Sequence, residues 1–286
     1  MNVSTNDIPT IRSASPFRYP GGKAFLYRYL INRVRELKIS RRYYAEPFCG
    51  GGGAATILLK LNEVDEIHLN DADPKVYSAW RAILDEPRRF EQAVMEAPLD
   101  MDTWYKYRAI VDNSVENSFD LGFATFYLNR TNRSGIVMGS GPIGGYEQKG
   151  KWKIDARFNR EVLAERVRWL GSMKERIILT QEDALTFLSK STNRLPKHQT
   201  FFFIDPPYVV AGGRLYLNAM TEGKHIALSD LLQSNILPHW ALTYDDHPLI
   251  RSLYQDQKLQ DLAVTYSLQS KRKEKEILIN YYSDIA

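Results

Sequence analysis

The 286-residue chain has a single cysteine, Cys49. One thiol cannot close an intrachain disulfide, so a disulfide-stapled fold is excluded and the chain suits a reducing compartment. Apolar runs are short: none reaches the roughly 18 residues that a membrane-spanning helix needs, and no span is expected. Met1 to Pro9 lacks the basic, apolar and cleavage-site succession of a secretion signal. Residues 1–14 are therefore expected to form a disordered lead and the protein to be cytoplasmic. Net charge is low as well, +4 at pH 7, so a nucleic-acid partner would have to be met by a local basic surface. The length allows one large domain or two smaller ones.

What the chain does contain is the run Phe201-Phe202-Phe203-Ile204, followed at once by Asp205-Pro206-Pro207-Tyr208. Consecutive apolar residues fit a parallel strand covered on both faces, and two prolines without N–H groups must end its ladder. Ligand crevices in open α/β sheets lie beyond such strand ends. There a carboxylate, carbonyls fixed by two pyrrolidine rings and an aromatic ring converge. That set suits a flat base with an exocyclic amino group: the oxygens accept its N–H hydrogens and Tyr208 stacks on its face. The competing reading is an Asp-Pro-Pro turn with Tyr208 packed nearby.

A second signal lies upstream. Tyr43 to Phe48 reads as a strand, Cys49 and Gly50 to Gly53 as a loop, and Ala54 to Leu61 as a helix. Glycines in such a turn permit positive φ and let the backbone approach a ligand at a helix N-terminus. Cys49 inside this loop reads as a small filler rather than as a nucleophile. Glu66 to Asp71 follows as a second strand ending in an acid, about 20 residues on, the spacing of a ribose-hydroxyl acceptor. Asp71 is assigned to the ribose and Asp73, just before Pro74, to a helix N-cap, although Asp71 could itself be the cap.

Taken in order, Phe17-Arg18-Tyr19-Pro20-Gly21-Gly22-Lys23, Glu46-Pro47-Phe48-Cys49-Gly50-Gly51-Gly52, Asn70-Asp71 and Asp205-Pro206-Pro207-Tyr208 resemble the DNA adenine-N6 methyltransferases of the DNA adenine methylase type, the D12 class, alpha group. The resemblance runs from about Ser15 to Tyr282. It implies S-adenosylmethionine as methyl donor and an α/β, Rossmann-like methyltransferase fold with a seven-stranded mixed sheet. The catalytic, donor-binding domain would comprise residues 15–85 and 171–286, interrupted by a helical target-recognition domain at 86–170. The resemblance also implies catalytic roles for Asp205, Pro206, Pro207 and Tyr208. Donor contacts would come from Tyr19, Lys23, Glu46, Phe48, Gly50, Gly52, Asp71, Asp183 and Asp205. Among these, Lys23 would hold the methionine carboxylate, and Asp183 would lie beside the donor's adenine. Asp183 reads equally as the N-cap of a helix from Ala184. The best-known relatives methylate GATC, but the loop Gly139 to Trp152 does not resemble their base-reading segment, so that target is not implied. No endonuclease motif appears in this chain, and a restriction-modification role is not decided by its sequence.

The insertion carries apolar residues at helical spacing over Pro87 to Ala97, Met101 to Val111, Phe119 to Asn129 and Asn159 to Met173. Trp104, Tyr105, Tyr107, Phe119, Phe123, Phe126 and Tyr127 read as its core. Between Arg130 and Arg168 stand nine basic residues against four acidic ones, a local net charge of +5. The polar, glycine-rich stretch here suits phosphate and base-edge contacts, and Arg130, Asn132, Arg133, Ser134, Lys149 and Lys151 are the candidate contacts to double-stranded DNA. The bland reading is a solvated loop. After Tyr208 the pattern gives a helix over His225 to Ile236, a strand over Trp240 to Tyr244, a helix over His247 to Tyr254 and a hairpin of Leu259–Leu268 with Glu276–Tyr282. Ser270 to Lys273 between the hairpin strands reads as a phosphate clamp or as a solvated turn.

The expected chemistry follows from adenine's amino group, whose lone pair is delocalised into the ring. Asp205 and the Pro206 carbonyl can accept both N–H bonds and hold the hydrogens out of plane, and the carboxylate stabilises the positive charge that nitrogen acquires. Alignment for direct displacement supplies much of the rate, without a metal. Methylation of cytosine N4, of RNA or of protein glutamine are the neighbouring readings, and a silent DNA-binding protein is a third class. Asp rather than Asn at position 205, and the insertion between donor loop and tetrad, favour adenine in DNA.

Overall fold

Phe201 and Phe203 point into one apolar cluster, and Phe202 and Ile204 into a second. This alternation is what a strand buried on both faces requires. In a computed structural model, which describes all residues except 1–7, 12, 20, 115, 210–219, 267–271 and 283–286, these residues form a central strand of one sheet. Its strands are β1 (Tyr43–Glu46), β2 (Glu66–Asn70), β3 (Ile177–Thr180), β4 (Thr200–Ile204), β5 (His239–Asp245), β6 (Lys258–Tyr266) and β7 (Arg272–Tyr282). They lie in the order β3-β2-β1-β4-β5-β7-β6. The first five pair in parallel, while β7 runs antiparallel to both β5 and β6. This is the seven-stranded mixed, Rossmann-like sheet expected from the sequence.

The strand order reverses between β1 and β4, which pair through Tyr43 with Thr200, Tyr44 with Phe201 and Ala45 with Phe202. A crevice therefore opens beyond the carboxyl ends of these two strands. On one face of the sheet lie α1 (Tyr27–Glu36), α2 (Gly53–Lys60) and α3 (Pro74–Asp85), whose Leu30, Leu58 and Trp80 join Phe201 and Phe203. The other face is covered by α8 (Ala184–Arg194), α9 (Glu222–Gln233) and α10 (Pro248–Leu253) through Leu188, Leu228 and Ile250. No helix among the described residues is long and apolar enough to cross a membrane.

Four further helices make up the insertion: α4 (Pro87–Glu96), α5 (Met101–Asn113), α6 (Phe119–Thr131) and α7 (Arg160–Ser172). The starts of α5, α6 and α7 are capped, with Asp100, Ser118 and Asn159 accepting main-chain N–H bonds from Thr103, Leu121 and Val162. Phe90, Trp104, Phe126 and Val167 belong to the same cluster as Leu58 and Trp80, so this lobe shares a core with the sheet's helices. Tyr105 departs from the expected core set. It is 51 % exposed, because a residue next to buried Trp104 on one helix must face away from it.

Two segments differ from, or lie beyond, the sequence reading. Of the expected lead, Ile8 is 2 % exposed and Ala14 fully buried, and the Tyr27 hydroxyl donates to the Pro9 carbonyl at 3.0 Å. Ile8 and Ala14 therefore belong to the packed core. The hairpin of β6 and β7 forms, pairing Tyr266 with Arg272, while Ser270 and Lys271 of the suggested clamp lie outside the described residues.

The closest backbone approach in the lobe is at Gly122 of α6, where an added Cβ would sit 2.3 Å from the Ser78 carbonyl oxygen of α3. Alanine gains about 1 kcal/mol of helix propensity, but overpacking costs about 1–3 kcal/mol or more against rigid backbone. With the 2.3 Å approach placing the cost at the upper end of that range, Gly122→Ala is expected to lower stability by about 2 kcal/mol, read from the denaturant midpoint. An unchanged or raised midpoint would contradict this packing of α6 on α3.

Candidate active site

The loop after β1 is shaped by two left-handed glycines, Gly50 at φ +46° and Gly52 at φ +55°. Neither position admits a side chain: a Cβ on Gly50 would lie 2.8 Å from the Tyr19 ring, and one on Gly52 2.7 Å from Trp80. The Trp80 indole donates to the Gly50 carbonyl at 2.8 Å, and the Gly50 N–H donates to Asp71 at 2.9 Å. Gly52 precedes the first turn of α2, so the positive end of that helix faces the crevice.

Within the crevice is a cavity of about 620 Å³. All the residues assigned to the donor line it: Tyr19, Lys23, Glu46, Phe48, Gly50, Gly52, Asp71, Asp183 and Asp205. Gly135, Ile136, Val137 and Met138 from the inserted lobe complete its wall, a contribution that the sequence reading missed. Among the catalytic set, Pro207 also lines the cavity, whereas Pro206 is buried and Tyr208 packs against the smaller core.

Two carboxylates around this space, Glu46 and Asp71, are costly to ionise. Glu46 is 5 % exposed and accepts from the Tyr44 hydroxyl at 2.9 Å and the Ala55 N–H at 3.2 Å; burial pushes its carboxyl up to about 8. Asp71 accepts from the N–H groups of Gly50 and Asp73, and burial pushes it up to about 7. Asp73 caps α3, accepting from the Lys75 N–H at 2.9 Å, as assigned from Pro74. Asp183 combines a helix cap with a place on the cavity wall. It caps α8 through the Leu185 N–H at 3.0 Å while lining the cavity, and its bond from Lys224 at 2.9 Å holds its carboxyl below the usual range. Cys49 is buried, which drives its thiol well up and fits a filler.

Asp205 leaves β4 beside β5, where the Thr243 hydroxyl donates to its Oδ1 at 2.6 Å. The Tyr208 hydroxyl and the Lys23 ammonium both reach Asp205 at 3.2 Å. Lys23 is itself buried, donates to the Gly21 carbonyl at 2.6 Å and lies 3.6 Å from Glu276 of β7. Its ammonium also stands 5.0 Å from the centre of the Tyr208 ring. Burial pushes Glu276 up to about 7, against the opposing pull of Lys23. Thr243 and Glu276 were not found from the sequence. Both depend on strand register: Thr243 on β5 beside β4, and Glu276 on β7 beside β5.

The candidate DNA contacts divide. Arg133, Lys149 and Lys151 are exposed, and Ser134 is half-buried in a left-handed turn at φ +58°. Asn132 requires correction. It is fully buried, accepts from the Trp104 indole at 2.7 Å and donates to the Ile136 carbonyl at 2.8 Å, so its amide holds the turn and cannot touch a duplex. Arg130 turns inward as well, donating to the carbonyls of Pro16 and Arg157.

A family model described as D12 class N6 adenine-specific DNA methyltransferase matches residues 19–268. Among solved structures, the rRNA methyltransferase aviRa from Streptomyces viridochromogenes is similar at 14 % identity and a TM-score of 0.38, over 98 % of this chain and 94 % of that one. No curated protein matches the sequence. The family match takes in the glycine loop, the Asp-Pro-Pro-Tyr tetrad and the lobe between them, and the chain belongs to the D12 class N6 adenine-specific DNA methyltransferases, enzymes that methylate adenine N6 in DNA.

Proposed function

We propose that the cavity holds S-adenosylmethionine and that Asp205, Pro206, Pro207 and Tyr208 receive an adenine flipped out of duplex DNA at its edge. The observation that carries this reading is that Asp205 lines the same cavity as the glycine loop, at the point where the strand order reverses. The lining suits that donor. Glu46 and Asp71 offer two acids to a ligand with cationic centres. When bound, S-adenosylmethionine supplies an electrophilic methyl group on sulfonium sulfur.

The protein's own part is to prepare the amino nitrogen. Asp205 accepts one N–H of the adenine amino group and the Pro206 carbonyl the other, which frees the lone pair from the ring. Thr243 fixes the carboxylate's orientation by its bond to Oδ1. Tyr208 must release Asp205 to stack on the base, so arrival of the base exchanges a tyrosine hydroxyl for a substrate N–H. Positive charge developing on nitrogen is met by the carboxylate, which then takes the proton. Lys23 lines the cavity, but its ammonium is bonded to Gly21 and Asp205. We therefore assign it to orienting Asp205 rather than to holding the donor's carboxylate. On the inserted lobe, Arg133, Ser134, Lys149 and Lys151 are the candidates for DNA contact.

Replacement of Asp205 by alanine should lower transfer by about 10³-fold or more, with donor affinity changed only a few-fold; substantial residual transfer would remove Asp205 from the chemistry. For Lys23→Met, kcat should fall by about 10²-fold while donor affinity falls less than tenfold. The reverse pattern would return Lys23 to the donor's carboxylate. Glu46 offers a test with a worked sign. Its ordinary value is 4.5 and its folded value about 8, so the folded protein binds the extra proton, and stability is lost as pH rises between those values. Glu46→Gln, which keeps an acceptor for Tyr44 and Ala55, should therefore melt higher than wild type at alkaline pH. The gain is a few kcal/mol, at about 1.36 kcal/mol per pKa unit. Donor binding should weaken in the same variant. A melting curve no higher than wild type above pH 8 would contradict a buried, ionised Glu46.

A further inference from the structure

Arg18, Arg130, Arg157 and Arg166 meet where the N-terminal segment crosses the inserted lobe, and among the described residues none of them forms an ion pair. Their attachments are to main-chain oxygens. Arg166 donates to the Ser15 carbonyl at 2.9 Å, Arg130 to those of Pro16 and Arg157, and Arg18 to that of Asn132 at 3.2 Å. The exposed Arg157 guanidinium has no hydrogen-bonded partner among the described residues. Elsewhere on these surfaces arginines do find acids: Arg168, two positions beyond Arg166, pairs with Glu91 at 2.7 Å, and Arg108 with Asp112 at 2.8 Å.

Such a grouping is electrostatically unfinished. Guanidinium groups do not shed their protons, so the repulsion stays in the folded protein. Arg130 reports it: burial pushes it down to about 9, and Arg18, Arg166 and Arg157 push in the same direction. Glu165 acts on Arg166, while neither Arg130 nor Arg18 has an acid among the charges that shift it. Main-chain carbonyls take one or two of the five N–H donors that each guanidinium carries and bring no full negative charge. An anion with several oxygens answers both deficits, and a phosphodiester matches the planar donor fork.

The cluster is also well placed. The segment it grips carries Ser15 and Phe17, which line the donor cavity, and the Ser15 hydroxyl donates to the Gly51 carbonyl at 2.5 Å. An anion held there would be fixed relative to the glycine loop through a few bonds of rigid backbone. We propose that Arg157 and Arg18, backed by Arg130 and Arg166, clamp a backbone phosphate of the DNA and so register the strand against the cavity. The inference rests on DNA being this site's substrate, and it assigns the cluster to positioning without base preference.

The test is the salt dependence of duplex binding by full-length wild type, Arg157→Gln and Arg157→Glu, on a short duplex containing the methylated site and on a shuffled one. Donor affinity and melting temperature are followed in parallel. Arg157→Gln should bind both duplexes roughly tenfold more weakly, by the same factor, and flatten the slope of log K against log salt by about 1. Arg157→Glu should weaken both further, with donor affinity and melting temperature unmoved in either variant. An unchanged slope would reduce the cluster to an internal clasp, and a loss confined to the methylated sequence would make Arg157 a base reader; either result overturns the clamp. Failure of the underlying reading looks different: wild type would yield no N6-methyladenine in duplex DNA whatever the slopes.

Discussion

The parallel pairing of β1 with β4 is the constraint from which the rest of the site follows. Three residue pairs, from Tyr43–Thr200 to Ala45–Phe202, bring together segments more than 150 positions apart in the chain. Both strands then run out at prolines, Pro47 and Pro206, which cannot continue a ladder. Two loops of different chemistry are left side by side, one of glycine backbone and one ending in a carboxylate. The apolar faces make the pairing robust, since a slip of one residue would exchange Phe201 and Phe203 with Phe202 and Ile204 between two separate cores.

Charge is handled differently on the two sides of that junction. Around the glycine loop, Glu46 and Asp71 are held by N–H and O–H donors and kept reluctant to ionise, a state suited to acids awaiting a cation. Around the tetrad, Lys23 stands between Asp205 and Glu276, so a single buried ammonium serves two acids contributed by β4 and β7. The antiparallel β7, wedged between β5 and β6, is what brings Glu276 within reach. The mixed character of the sheet thus has a direct consequence for the surroundings of Asp205.

Local signals in the sequence carried much of this arrangement. Apolar runs ended by proline, a glycine loop before a helix, and acids just ahead of helical turns each report on a few neighbouring residues, and Asp73 could be assigned on that basis. What escaped depends on long-range register or on the direction of a side chain. Thr243 matters because β5 lies beside β4, and Gly135 to Met138 because the lobe folds back over the cavity. Asn132 and Arg130 belonged to a basic, polar stretch whose composition suited DNA, yet one binds an indole and a turn, and the other main-chain carbonyls. Composition reports which groups are present in a segment but not which way they face. The same limit applies to Ile8, an apolar residue in a polar lead that finds a place in the core.

The most direct measurement is to incubate the protein with methyl-labelled S-adenosylmethionine and mixed-sequence duplex DNA, digest the DNA and resolve its nucleosides. Label is expected in N6-methyladenine at a defined sequence. Label in N4-methylcytosine would contradict the fit of the Asp205 site to adenine. Label absent from DNA, with the donor bound, would contradict the substrate itself.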